Sequence, residues 1–441
     1  MSKKKTNAEV YAELARKYQK PMERTFYVFL VIIIVYDFLS SSMMMFPFTA
    51  AIGNTLTKLL RFDLVEPVYG MVLNLRHLIA IPALFTIMFE AKGWGRKMVL
   101  AALLVIGWFY SVHWREIGDT MVFSSLLVIV ACANRDIKKI VKIVMICGVS
   151  VIAVAFVLSR FGLIEDLTWT RPDNTFARHA FGMNYCTDLA CHVMFLIFLY
   201  MFYQKGKLRW WEYAIILLLC LINVLFVDGR IALFCTLAAV GGCLVKTFLD
   251  KKNCRVPAGL MRLWGGALLA AFVIGAGIVF AADLFYSEDP GMWYNQSVSL
   301  GNRLWTNHVL FKELPVTLFG TYFLQVGWGG VSGPLDYYFW VDCSYSRVFA
   351  MYGIVAFGIY LALLTGIQLR LKKRGAYFAM FLMALVAIDC MMEHHMIEVS
   401  FNTFLLLAFA DLDGFSRKGE KSPEAEGNTN DGKNKAIDTA E

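Results

Sequence analysis

Long apolar stretches alternate with short polar gaps along most of the chain. A helix that crosses the ~30 Å hydrocarbon core of a bilayer needs roughly 20 mainly apolar residues. Twelve stretches approach that length, and they cover residues 25–46, 71–90, 98–113, 120–133, 137–160, 184–203, 210–227, 230–249, 263–285, 345–369, 376–392 and 398–412. The pattern predicts an all-α fold, a polytopic membrane bundle of about twelve transmembrane helices.

Clusters of Lys and Arg follow every second predicted crossing, which is the positive-inside pattern of cytoplasmic loops. They lie within residues 3–5, 92–97, 135–142, 205–209, 246–262 and 370–374. This spacing predicts a multi-pass protein of the cytoplasmic (inner) membrane with both termini in the cytoplasm. We expect residues 1–24 to be a cytoplasmic segment, 25–413 the membrane domain, and 414–441 a disordered cytoplasmic tail.

The composition agrees with a membrane protein, since 58% of the residues are hydrophobic and only 17% are charged. The net charge of +8 is dispersed over the predicted inner loops, so we expect the lipid bilayer and no nucleic acid as a partner. The sequence has no P-loop, no GxGxxG after a strand and no GxSxG motif. No predicted cytoplasmic segment is large enough to bind a nucleotide sugar, so a substrate would have to arrive already activated.

The longest predicted outer segment is an extracytoplasmic loop at residues 287–343, between the ninth and tenth helices. A loop of this length is usually functional. It is rich in aromatic residues and contains a glycine-rich piece at 327–333. The aromatic rings are open to two interpretations, as an interfacial belt or as flat surfaces that bind sugars. Within the loop, the apolar spacing predicts a helix from Asn302 to Leu314, which Pro315 would end.

Three arginines on the predicted outer side run against the positive-inside bias, namely Arg178, Arg230 and Arg303. A guanidinium group offers a fixed fork of donors that fits diphosphate oxygens and stays charged in a low dielectric. These arginines are therefore our candidates for binding an anion without a metal or another cofactor.

A second polar group lies on the predicted helix that starts at residue 184. Asn184, Asp188 and His192 are spaced i, i+4 and i+8, so they share one face of that helix. They form either a buried polar network or an acceptor pocket below Arg178 and His179. Farther along, Glu393, His394, His395 and Glu398 fall into no HExxH spacing, and we expect a solvated outer turn without a metal there.

A series of short motifs follows in order along the predicted outer side. These are Asp228-Gly229-Arg230, Asn302-Arg303-Leu304-Trp305, Leu318-Phe319-Gly320, Val341-Asp342-Cys343-Ser344-Tyr345 and Tyr352-Gly353-Ile354. Together with the topology, this series resembles the Wzy-type polysaccharide polymerases and the related O-antigen ligases. The local likeness falls mainly within residues 178–355, and Asn302 stands where that family usually has glycine.

The resemblance implies a metal-independent inverting glycosyltransferase that polymerises polyprenyl-diphosphate-linked oligosaccharides at the outer face of the membrane. It assigns Arg178, Arg230 and Arg303 to the diphosphate. Three residues are competing candidates for the general base. Five further residues are expected to contact the substrate. The base candidates are His179, His308 and Asp342; the substrate contacts are Asn184, Asp188, Asp228, Trp305 and Tyr345.

Two other functions remain open at this point. A lipid-linked oligosaccharide flippase or another secondary transporter would also have many helices with charged residues inside the membrane. An O-antigen-ligase-type glycan transferase would differ only in its acceptor. For a polymerase, we expect a flippase and a chain-length regulator of the same pathway as partners.

Overall fold

The computed structural model describes residues 7–45, 76–114, 119–171, 176–252, 257–292, 294, 298–331 and 337–413, so the predicted tail at 414–441 lies outside the described residues. The α-helices are α1 (Asn7–Ser40), α2 (Ala80–Phe85), α3 (Trp94–His113), α4 (Met121–Ala131), α5 (Ile137–Arg160), α6 (Cys186–Tyr203), α7 (Trp210–Ile222), α8 (Arg230–Lys251), α9 (Ala258–Leu269), α10 (Ala271–Leu284), α11 (Val298–Glu313), α12 (Ser344–Met351), α13 (Gly353–Lys373) and α14 (Tyr377–Asp389). Two short strands, β1 (Thr168–Trp169) and β2 (Arg178–His179), pair antiparallel. Short 3₁₀ or π turns occupy Arg76–Ile79, Thr86–Glu90, Asn223–Val227 and Thr403–Ala408.

The described residues are mainly helical, and the fold is compatible with a helical membrane protein. Six helices in the described part are long and apolar enough to cross a bilayer, or seven if α9 and α10, which bend by 56° at their junction, form one span. The six are α3, α5, α6, α7 with its π turn, α8 and α13. Shorter apolar helices cover His77–Glu90, Met121–Ala131 and Tyr377–Asp389. The predicted count of about twelve spans is not confirmed.

Several predicted spans correspond closely to observed helices. The span at 137–160 is α5, and those at 184–203 and 230–249 are α6 and α8 within two residues at each end. The predicted loop helix Asn302–Leu314 is α11, which begins four residues earlier, at Val298. The predicted span at 345–369 is divided into α12 and α13 at Tyr352.

The predicted helix at 398–412 is wrong, because this segment forms turns and a 3₁₀ helix. Local bonds from side chain to backbone compete with helical ones here. The Asn402 amide donates to the Met396 carbonyl at 2.8 Å, and the Thr403 hydroxyl donates to the Val399 carbonyl at 2.9 Å. Arg370 donates to the carbonyls of Leu407 and Ala410, which satisfies backbone groups that a helix would have paired.

Helix α6 is the most deeply buried of the long spans and packs against α5, α8 and α14. Its sequence is apolar on every side, and Phe195, Phe198 and Phe202 are almost fully enclosed. A helix that is hydrophobic all round belongs inside a bundle, with other helices between it and the lipid. The polar residues near its start, Asp188 among them, are therefore held within protein.

Two of the motif segments meet at the break between α12 and α13. Gly320 and Gly353 both have positive φ angles, of 92° and 80°. Their segments are joined by backbone bonds, from the Val355 N–H to the Leu318 carbonyl at 3.0 Å and from the Thr321 N–H to the Ala350 carbonyl at 3.0 Å. A Cβ atom at Gly353 would lie 2.5 Å from the Leu318 oxygen, which leaves no room for a side chain.

We predict that Gly353→Ala lowers the thermal midpoint of the purified protein. The change combines backbone strain of roughly 1–3 kcal/mol with a collision against Leu318. Gly358→Ala is the matched control, since Gly358 lies in the same helix with open space around it. A thermal unfolding scan in detergent measures both variants, and an unchanged midpoint for Gly353→Ala would contradict the described packing.

Candidate functional site

A cavity of about 1170 Å³ lies at one end of the bundle. Its wall combines the last residues of α1, the first residues of α4 and α6, the β1 strand, part of the loop after α11, and the turn after α14. The basic clusters flank the opposite ends of α5, α6, α8 and α13. The cavity is therefore at the end predicted to face away from the cytoplasm.

Four arginines line this cavity, Arg171, Arg178, Arg303 and Arg347. Three of them form two groups that carboxylates hold in place, and Arg347 lies beside the Trp340 ring. Two of them, Arg178 and Arg303, were predicted from the sequence. Arg171 and Arg347 were missed, although Arg171 also lies on the predicted outer side, where the positive-inside bias disfavours arginine.

The first group surrounds Asp228. The Asp228 carboxylate lies 3.2 Å from a nitrogen of Arg171, 3.9 Å from Arg178 and 3.1 Å from Arg230. Burial, and then the neighbouring Arg178, lower the pKa of Arg171 from its usual range. Three guanidinium groups therefore share the Asp228 carboxylate.

Local structure fixes two of these residues. Asp228 has a positive φ angle of 52° and ends the π turn Asn223–Val227. Arg178 pairs with Trp169 across the two strands, is only 3% exposed, and donates from Nε to the Val227 carbonyl at 3.1 Å. Arg230 is 47% exposed and does not line the cavity, but it contacts Asp228.

The second group surrounds Arg303 on α11. Arg303 donates to the Met392 carbonyl at 2.8 Å and to Glu393 at 3.0 Å, and it lies 3.3 Å from the Asp342 carboxylate. Burial raises the pKa of Asp342 and raises that of Glu393 to about 8, while Arg303 opposes both shifts. Burial alone would lower the pKa of Arg303, but Asp342 and Glu393 raise it above its usual range.

Arg347 has spare hydrogen-bonding capacity. Its guanidinium group lies 5.0 Å from the centre of the Trp340 ring, and the residue is 9% exposed. Its Nη1 atom has no hydrogen-bond partner among the described residues. A buried cationic donor without a partner is costly, and an anion in the cavity would satisfy it.

Buried ion pairs enclose His395 on the cavity wall. Its Nε2 lies 3.8 Å from Asp188 and its Nδ1 lies 3.5 Å from Glu398, while the ring stacks on Phe401 at 3.5 Å. Burial lowers the pKa of His395, but Glu398 and Asp188 outweigh it and raise the value to about 9. We therefore describe His395 as a cation between two carboxylates.

The expectation of a solvated turn at residues 393–398 is wrong, since His395 is only 1% exposed. The chain folds back into the bundle after α14 instead of extending into solvent. The Ser344 N–H bonds to the Cys390 carbonyl at 3.0 Å, and its hydroxyl bonds to the Glu393 carbonyl at 2.5 Å. These bonds attach the turn to the start of α12.

The other predicted site residues divide into two sets. Asn184, Asp188 and Asp342 line the cavity. The rest do not line it. His179 pairs with Asp166 at 2.8 Å, and His308 lies 3.6 Å from Asp283. Trp305 is partly exposed, and the buried Tyr345 donates to the Ala387 carbonyl at 3.0 Å. Asp342 is thus the one predicted base on the described cavity wall.

Aromatic rings cover part of the wall, from Trp169, Trp328, Tyr338 and Trp340. Trp328 and Tyr338 stack with their ring centres 6.4 Å apart. Trp340 meets His394 edge to face at 5.3 Å. Flat rings beside carboxylates and guanidinium groups provide both the apolar faces and the polar rims that a sugar ring can contact.

Three sets of side chains could hold a metal ion, because their ligand atoms lie within 4.8 Å of one another. They are Asp188, His394 and His395; Cys191, Glu393 and His395; and Asp342, Glu393 and His394. Each set contains a residue that already takes part in the ion pairs described above. The expectation of a site without a metal stays a prediction.

Comparisons of the chain with protein-family models, with curated proteins and with solved structures found no match. The cavity can bind an anion at two arginine groups and a sugar on its aromatic wall.

We predict that Asp228→Asn lowers the thermal midpoint and that inorganic pyrophosphate restores much of the loss. Removing one partner of a buried ion pair costs about 3–5 kcal/mol, because the remaining charges are uncompensated. Asp250→Asn is the control, since it removes an exposed pair with Lys246 worth about 0–1 kcal/mol. Equal effects of the two changes in a thermal shift assay would contradict the shared role of Asp228.

We also predict that the protein loses stability as the pH rises through about 9. The pKa of His395 is about 9 in the folded protein and 6.5 ordinarily. The stabilisation from its positive charge is complete below 6.5 and disappears above the folded value. Thermal midpoints at several pH values should show a smaller alkaline decrease for His395→Asn than for the unchanged protein, and identical decreases would refute this account.

Proposed function

We propose that the protein polymerises polyprenyl-diphosphate-linked oligosaccharide repeat units at the outer face of the cytoplasmic membrane, for capsule, exopolysaccharide or O-antigen synthesis. The observation that carries the proposal is the cavity with four arginines at the predicted outer end of the bundle. The ordered motifs support the same function, because Asp228, Arg303 and Asp342 all belong to the resemblance and meet at or beside this cavity.

The arginines suit the diphosphate of the donor lipid. Arg171 and Arg178 supply positive charge on one part of the wall, and Arg303 and Arg347 supply it on another. The Nη1 atom of Arg347 has no hydrogen-bond partner among the described residues, so it can donate a hydrogen bond to a diphosphate oxygen. Charge-assisted bonds of this kind are about twice as strong as neutral ones, and no metal is needed to make them.

Transfer makes one bond and breaks another. A hydroxyl oxygen of the acceptor sugar attacks the anomeric carbon, and the bond from that carbon to the diphosphate breaks. Negative charge grows on the departing oxygen, so fixed guanidinium groups stabilise the transition state more than the ground state. A single displacement of this type inverts the anomeric centre.

Asp342 fits a role in orienting Arg303. Its carboxylate lies 3.3 Å from the guanidinium group, and Glu393 holds the same group at 3.0 Å. Two carboxylates and the Met392 carbonyl therefore restrict the rotation of Arg303 and fix the orientation of its guanidinium group. Preorganised donors of this kind need no rearrangement when charge develops.

We predict that Arg303→Ala and Arg347→Ala each abolish polymer formation. Loss of one fixed donor at a developing charge typically lowers the rate by about 10²–10³. The measurement is the ladder of polymer lengths in a deletion strain that carries each variant at equal protein level. Arg374→Ala is the control, since this arginine lies beyond α13 at the opposite end of the bundle, paired with exposed Asp413.

The same strains distinguish a polymerase from a flippase. If the protein polymerises, inactive variants accumulate single lipid-linked units that an impermeant reagent labels from outside intact cells. If it transports these units, they accumulate out of reach on the inner side. A normal ladder with both Arg303→Ala and Arg347→Ala, in well-expressed protein, would refute the proposed site.

A further inference from the structure

A second, smaller cavity opens from the first. It has a volume of about 270 Å³ and shares Ser40, Ser41, Met121 and Glu398 with the larger one. Because four residues line both spaces, we treat them as neighbouring chambers of one site. We call the larger one the arginine chamber and the smaller one the hydroxyl chamber.

The hydroxyl chamber extends into the bundle between α1 and α4. Its lining runs along α1 from Ser40 back to Ile33, and along α4 from Met121 to Val128. Eight residues of helix correspond to about 12 Å. The turn at residues 397–400 closes a further side. A volume of 270 Å³ is just below the ~300–1,000 Å³ typical of small-molecule sites, which suits a single sugar ring.

The chemistry of the two chambers differs. Among the described residues that line the hydroxyl chamber there is no Lys, Arg or His. Its polar groups are the hydroxyls of Tyr36, Ser40, Ser41, Thr120, Ser124, Ser125 and Ser400 and the carboxylates of Asp37, Asp119 and Glu398. Such a lining has no cation to offer a second diphosphate, but it can exchange hydrogen bonds with the many hydroxyls of a sugar.

One hydroxyl in this chamber lacks a partner. The side-chain oxygen of Ser124 is buried and has no hydrogen-bond partner among the described residues. Its neighbour Ser125 is more deeply buried and interacts with the Tyr360 hydroxyl. Buried polar groups are normally paired, so an unpaired one beside a cavity indicates a polar occupant. Asp119 is already engaged, since it accepts from the Tyr352 hydroxyl at 2.7 Å.

We infer that the hydroxyl chamber binds the terminal sugar of the acceptor chain and that Glu398 is the base that receives the proton of its attacking hydroxyl. This inference rests on the proposed function. Glu398 lines both chambers, so its carboxylate lies where acceptor and donor meet. A chamber of this size takes one sugar, so it selects the end of a chain over its interior.

One bond forms and one bond breaks in the transfer step. The acceptor oxygen forms a bond to the anomeric carbon and gives its proton to the Glu398 carboxylate. The bond from the anomeric carbon to the diphosphate breaks, and its electron pair leaves with the polyprenyl diphosphate. Glu398 returns the proton to solvent through the arginine chamber before the next transfer.

The two candidate bases, Asp342 and Glu398, have different charged neighbours, which indicates which of them faces the leaving group. An in-line displacement needs the nucleophile and the leaving group on opposite sides of the anomeric carbon. Asp342 is paired with Arg303, so it lies on the side assigned to the diphosphate. Glu398 lies 3.9 Å from the His394 ring and forms an ion pair with His395 at 3.5 Å. Glu398 is therefore better placed than Asp342 to face the acceptor.

The test combines Glu398→Gln and Ser124→Leu with two measurements. The first is polymer formation in the deletion strain, and the second is the thermal shift that undecaprenyl diphosphate causes in the purified variants. Glu398→Gln removes the proton acceptor at constant size, and we expect a loss of about 10²–10⁴ in rate. Ser124→Leu fills the chamber, and we expect no polymer. Both variants should keep the full shift with undecaprenyl diphosphate.

Two controls complete the design. Ser150→Leu adds the same side chain on an exposed position of α5 and should leave polymer unchanged. Glu398→Asp keeps a carboxylate and should restore part of the activity that Glu398→Gln loses. A variant that no longer responds to undecaprenyl diphosphate has lost its folded site. If this happens with Ser124→Leu, polymer formation by Ser125→Leu decides instead. If it happens with Glu398→Gln, polymer formation by Glu398→Asp decides instead.

The outcomes separate this inference from the proposed function. Normal polymer with Ser124→Leu and with Glu398→Gln, in a strain whose unchanged protein polymerises, overturns the inference alone. If the unchanged protein neither polymerises nor responds to undecaprenyl diphosphate, the proposed function itself fails. Loss of polymer with a retained diphosphate response supports both.

Discussion

The site depends on keeping several guanidinium groups close together inside a membrane protein. Each charge is expensive to bury, and like charges at short range add to that cost. The structure meets this cost with carboxylates placed between the arginines, Asp228 in one group and Asp342 with Glu393 in the other. Backbone carbonyls of Val227 and Met392 add further acceptors. The arrangement fixes the cations in place and still leaves donors, as on Arg347, that an anion can use.

Irregular backbone makes this arrangement feasible. The turn after α14 brings Met392, Glu393 and His395 into the protein, where a continuous helix would have spread them around its circumference. A non-helical segment inside the bundle is tolerated because protein surrounds it and polar side chains satisfy its backbone. Ser344 and Asn402 do this on the two sides of the turn. The same turn places Glu398 where the two chambers meet, so the proposed chemistry depends on this interruption of the helical structure.

The sequence could predict those parts of the molecule that follow from long periodic patterns. The helix at Ile137–Arg160 has its predicted bounds, because basic residues and a continuous apolar run define both ends. Arg178 and Arg303 could be singled out, since outer arginines oppose the topological bias. Arg347 could not, because it lies within a predicted apolar span that in fact breaks at Tyr352. The burial of His395 could not be foreseen either, since it depends on long-range bonds to the start of α12.

The central claim is that the arginine chamber holds the diphosphate of a polyprenyl lipid. Electron cryomicroscopy of the protein in lipid nanodiscs with undecaprenyl diphosphate tests it most directly. The account predicts phosphate density within hydrogen-bonding distance of Arg303 and Arg347, with the prenyl chain leading out to the lipid. Well-defined diphosphate density elsewhere on the protein, with this chamber occupied only by water, would contradict it.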